Sequence, residues 1–119
     1  MTQSFAAGDN LIFQLESGFG LLRVLAMENA EGQTIWHLRT YEDFFPDVAS
    51  AEAALAQPST LQVSTPHLAL TDRAFERTPA AFLGNRSLEP DEVVGYQNWI
   101  AQGRQPVYDR SVLQMMGMR

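Results

Sequence analysis

Near the start of the chain, three consecutive stretches alternate their side chains with a period of two. That pattern commits a chain to extended strands with one face turned to a core. In residues 9–15, Leu11, Phe13 and Leu15 alternate with Asn10, Ile12 and Gln14. Glu16-Ser17-Gly18 reads as a turn. Residues 19–27 follow with Leu22, Val24 and Ala26 on one face and Leu21, Arg23 and Leu25 on the other, a strand expected to be buried on much of both sides. After a turn in which Gly32 can take positive φ, residues 33–41 set Trp36 and Leu38 against His37 and Arg39. The expectation is a three-stranded meander.

Beyond it the signals are mixed. Pro46 ends the extended chain, Ser50 offers an N-cap for a short helix over 51–56, and Pro58 stops that helix. The runs "TLQVS" and "HLALT" read as two short strands separated by Pro66. Residues 72–86 read as loop with one strand near 74–78. A longer helix is predicted over 90–102: Pro90 suits its first position, Asp91 and Glu92 its positive end, and Gly103 its C-terminal cap. Its apolar stripe is Val93, Tyr96, Trp99 and Ile100, and Gly95 marks a close backbone approach. Residues 110–116 form a last short helix, capped by Asp109 and ended by Gly117.

These elements predict a mainly β (α+β) chain. The expected form is a small, strongly bent antiparallel sheet of about five strands or an SH3-like barrel, with a short helix near 51–56 and a longer one near 90–102. A length of 119 residues fits a single globular domain over 1–119. The absence of cysteine removes disulfides and thiolate metal sites and fits a reducing compartment. The N-terminal residues show no basic region followed by an apolar run, and no run of about 18 apolar residues occurs, so a cytoplasmic protein with no membrane association is expected.

The residues that could carry chemistry are sparse. His37 and His67 are the only histidines and lack a metal-binding spacing, so no metal and no cofactor is expected. Glu42 and Asp43, adjacent on extended chain, point to opposite faces and do not suit shared acid–base work. Gly18-Phe19-Gly20 leads into a strand, not a helix N-terminus, and so is no phosphate loop. No GxSxG elbow is present, and no catalytic residue is assigned. A net charge of −6 argues against nucleic acid. That charge is uneven: residues 1–60 hold eight acids and two arginines, whereas 61–119 hold six of each. Within the first half, the acidic segment from Glu28 to Glu52 carries six acids and one arginine, concentrated on two connections, the turn after the second strand and the loop after the third. It serves either solubility or the docking of a basic protein partner, with the two potentials adding if the connections lie at neighbouring sheet ends.

The segment "YEDFF" and Pro46-Asp47 place two adjacent phenylalanine rings among three acids. Either both rings are core, or one is an exposed aromatic anchor in an acidic rim. Glu42, Asp43, Phe44, Phe45 and Asp47 are therefore the candidate partner-binding residues of a non-enzymatic protein-binding module. The alternative is a small ligand-binding or hydrolase-like domain using His37, Arg39 and Tyr41, which share a strand face. In the tail, Val112, Leu113, Met115 and Met116 either pack on the chain's own sheet or form a homodimer contact.

The succession Gly8-Asp9, the apolar run from Leu11 to Leu15, Gly20 through Arg23-Val24-Leu25, and then "YEDFF" resembles the start of the bacterial immunity protein 26 family. The match covers the first third to half of the chain. The resemblance implies a small barrel-like fold that binds and neutralises a cognate toxin, with no catalysis and no cofactor. It transfers no binding residues.

Overall fold

The structure, a computed structural model, describes residues 4–117. Strands Asp9–Leu15 (β1), Gly18–Ala30 (β2), Gln33–Phe45 (β3), Val63–Thr71 (β4) and Ala80–Asn85 (β5) form the framework. They make one sheet in the order β4-β3-β2-β1-β5, with every ladder antiparallel. The mainly β architecture expected from the alternation is the one observed. Bulges interrupt the β1–β5, β2–β3 and β3–β4 ladders and bend the sheet. β4 and β5 remain edges, so the sheet is open and not a closed barrel.

Both faces of the sheet are covered, which is why Leu21 to Leu25 are buried without a break. On the first face Leu11, Phe13, Leu22, Val24, Trp36, Leu38 and Leu70 pack under helices Asp72–Glu76 (α2) and Val112–Met115 (α4), through Ala74, Phe75 and Val112. On the second face Ile12, Leu21 and Tyr41 pack under helix Val48–Leu55 (α1), through Ala51, and on Leu61. Helix Val94–Ala101 (α3) covers the rest of this face, with Trp99 buried beneath it.

Several local expectations are corrected. β3 does not end near Tyr41 but runs to Phe45, because Phe19 and Gly20 of β2 extend the ladder to Phe45 and Phe44. The short helix starts earlier than 51–56, since Asp47 and not Ser50 is the N-cap; its carboxylate accepts from the Ser50 amide at 2.7 Å. The two short strands around Pro66 are one strand. Proline is tolerated there because β4 is an edge and its register shifts between Leu38 and Thr40 of the partner strand. Residues 74–78 hold no strand: Thr71 caps α2 through the Ala74 amide, and the strand in that region is β5. The helix expected over 90–102 begins as a 3-10 turn, Pro90–Val93, before α3. The tail helix is capped by a Ser111–Gln114 capping box, not by Asp109. Asp109 instead pairs with Arg73 and accepts from the Thr71 hydroxyl at 2.6 Å. No helix among the described residues is long and apolar enough to cross a membrane.

Candidate functional site: a buried polar seam and an exposed ring

His37, Arg39 and Tyr41 do share one face of β3, but that face is roofed. His37 is 0% exposed and Tyr41 5%. Arg39 is half-buried, and its guanidinium donates to the carbonyls of Pro66 and Glu92 at 3.4 Å each. The cavities around Thr71, Phe44, Trp99, Met27 and Phe19 are lined by none of the three. Burial pushes the Tyr41 hydroxyl above its usual range, so it stays protonated.

The centre of this roofed face is ionic. Arg23, wholly buried, donates from Nη2 and Nε to Glu92 Oε2 at 2.9 and 3.2 Å, and also to Asn10 and to the carbonyls of Gly8 and Ser87. Arg86 adds a contact to the other Glu92 oxygen at 3.2 Å. This network fixes the 3-10 turn that starts the roof. A buried guanidinium persists only when its donors are engaged in this way. Gly8, Asp9 and Arg23, which carry the family resemblance, are thus framework residues: Asp9 accepts from the Ala6 amide and from Asn85 at 2.8 Å each.

Farther along the face, His37 Nδ1 and His67 Nε2 lie 2.9 Å apart, with their rings stacked at 5.1 Å. Sequence reasoning left the two histidines separate, since only the β3–β4 register, His37 opposite Ala69, brings them together. Tyr96 and Trp99 of α3 each lie 4.5 Å from the His37 ring. The Tyr96 hydroxyl donates to Glu28 Oε1 at 2.8 Å, while Glu28 Oε2 lies 3.7 Å from His37 Nε2 and 3.6 Å from Arg104. Burial, reinforced by His67 and opposed by Glu28, lowers the His37 pKa to about 4, and burial lowers that of His67. Burial and then Glu28 raise the Tyr96 pKa to about 12. At neutral pH both imidazoles are therefore uncharged. Among the described residues no group of three or more histidines and acids is placed to hold a metal ion.

The candidate partner-binding residues lie at the other end of β3. Phe45 turns inward and packs on the second-face core, whereas Phe44 is 49% exposed. Phe44 walls a cavity of about 540 Å³ with Leu15, Glu16, Gly18 and Leu113 among its lining residues. Gly18 lies against the strand end: a Cβ there would stand 2.6 Å from the Phe45 carbonyl oxygen. Glu42 is exposed beside the ring. Asp43 and Asp47 carry structural loads, accepting from the amides of Gln62 at 2.6 Å and Ser50 at 2.7 Å. In the tail, Val112 is 0% exposed, and Leu113, Met115 and Met116 pack partly buried on the first-face core. The apolar surface noted in the sequence is therefore largely spent within the chain.

The two acidic connections do not adjoin. Glu31 sits at the hairpin before β3 and Glu42 near its other end, so at about 3.3 Å per residue they are on the order of 30 Å apart along the strand. That exceeds the screening length of about 8 Å at physiological salt, so their fields do not add. Glu28, moreover, is engaged by Tyr96 and Arg104.

Compared with protein-family models, with curated proteins and with solved structures, the chain finds no significant match.

Proposed function

We propose that the chain is a non-enzymatic protein-binding module that docks a basic partner at the Phe44 end of β3. The exposed Phe44 ring beside an open cavity carries this reading. A half-exposed phenylalanine between Glu16 and Glu42 provides an apolar anchor with an acidic rim, the arrangement in which aromatic side chains dominate binding energy. Of the acidic segment, this docking surface takes the end bearing Glu42 and adds Glu16, leaving out Glu28 and Glu31. The covered state of His37, Arg39 and Tyr41 supports the binding reading over a ligand or hydrolase site. The resemblance to the immunity protein 26 family makes a toxin the partner to test, and the product of a neighbouring gene the place to begin.

An arginine-rich peptide serves as the first probe, monitored by amide NMR on the full chain. Shift changes should cluster at residues 14–18 and 42–45 and fade with added salt. In Phe44→Ala the affinity should fall by about tenfold or more, as for an anchor residue. Glu16→Gln and Glu42→Gln should chiefly slow association. Shift changes centred on Glu28 and Glu31, or none, would overturn the surface. A neighbouring gene product that fails to bind would remove the immunity reading alone.

A further inference from the structure

We infer that the His37–His67 pair is an acid-sensitive latch, holding α3 on the sheet while neutral and releasing it when both rings are protonated. The groups facing His37 come from every element packed on it. They are Glu28 from β2, His67 from β4, Tyr96 and Trp99 from α3, and Arg104 from the segment after α3. Glu28 can only accept, so the His37 nitrogen that faces it, Nε2, is best assigned the proton. His37 Nδ1 then accepts from His67 Nε2–H across 2.9 Å.

One added proton is tolerated by this geometry, because His67 Nδ1 can take it while Nε2–H still donates. A second must go to His37 Nδ1, which turns the acceptor into a donor facing a donor. It also sets two cations in rings 5.1 Å apart, with Arg104 adding repulsion and Glu28 alone opposing it. Burial already disfavours either charge.

The element that yields is α3. His37 and His67 belong to paired strands held by a ladder, whereas α3 closes on them by contact: Gly95 against the His67 Cβ, and Tyr96 and Trp99 against the His37 ring. Behind it the Arg23–Glu92 bridge clamps the preceding turn at 2.9 Å, so that turn stays seated as the helix lifts. Release hydrates His37, opens the half-buried His67 further to water, and exposes Trp99.

Residue-resolved hydrogen exchange on the full chain, corrected for intrinsic rates between pH 7 and pH 4.5, tests the latch. Amides of α3 should lose about tenfold or more of their protection while those of β1 and β2 keep theirs. His67→Gln retains a donor, removes one of the two titrations and leaves that of His37, and should shrink the loss. Glu28→Gln keeps both histidines, removes the carboxylate that favours the charged His37 ring, and should deepen the loss at pH 4.5. Protection of α3 that is independent of pH, or that falls together with the sheet, overturns the latch. So does an unchanged loss in His67→Gln, or a loss in Glu28→Gln that is no deeper at pH 4.5.

Discussion

Glu31 adopts φ 54° and Gly32 φ 80° in the two-residue turn between β2 and β3. Both positions of such a hairpin want positive φ, which glycine and asparagine accept and a longer side chain resists. The role of Gly32 was legible in the sequence; the strained Glu31 was not, because the turn type depends on the pairing of Ala30 with Gln33. Replacing exposed Glu31 by asparagine should therefore stabilise the fold by about 0.5 kcal/mol. The urea midpoint should rise with the slope unchanged, and a fall would refute the argument. Capping shows the same limit. Serine and aspartate are equally good N-caps, so composition could not choose between Ser50 and Asp47; the direction of the chain leaving β3 chose Asp47.

Among the elements, strands were legible where apolar side chains alternate in the sequence and turns are short, and illegible where tertiary contacts override local signals. The alternation located β1 and β3 but not their burial, since Asp9 to Phe13 and Trp36 to Leu38 are buried on both faces, while β4 passes through a proline that an edge position excuses. The chain that forms α2 and β5 carries no periodic stripe, since α2 has only five residues and buries Ala74 and Phe75. Gly95 was readable as a close approach, and the structure supplies the neighbour: a Cβ there would stand 2.7 Å from His67 Cβ. In an exposed helix interior, glycine to alanine gains about 1 kcal/mol. Here the neighbouring atom is fixed to the β4 backbone and cannot swing aside. Gly95→Ala should destabilise by about 1–3 kcal/mol, as overpacking does. Chemical denaturation reads the sign directly, and a stabilised variant would show that α3 docks more loosely than its contacts imply.

At the scale of the whole molecule, the site that sequence reasoning could find was the one made of neighbours in the chain, the ring and acids around Phe44. The histidine pair, thirty positions apart in the chain, needs the strands between folded in one register, and no motif announces it. Its consequence for stability follows from proton linkage. An unfolded chain protonates His37 near 6.5, the folded one only near 4, so the unfolded state takes up protons first as pH falls. Stability is fully present above about pH 6.5 and drains away between there and about 4, by on the order of 3 kcal/mol for His37 at 1.36 kcal/mol per pKa unit. His67 acts in the same direction. Asp47 and Asp109 have their carboxyls lowered by hydrogen bonds to Ser50 and to Arg73 and Thr71, so their contribution is lost only as pH falls below the ordinary aspartate range. Acid should therefore weaken the fold in two stages, a histidine stage first and a carboxylate stage beneath it. If α3 lifts before the sheet unfolds, the protonated rings escape burial, the first stage stops short of its full size, and the urea slope shrinks with it. Urea titrations between pH 7.5 and 4.5 should show the midpoint already falling below pH 6.5. A flat midpoint across that range would mean that the buried His37 is hydrated in solution.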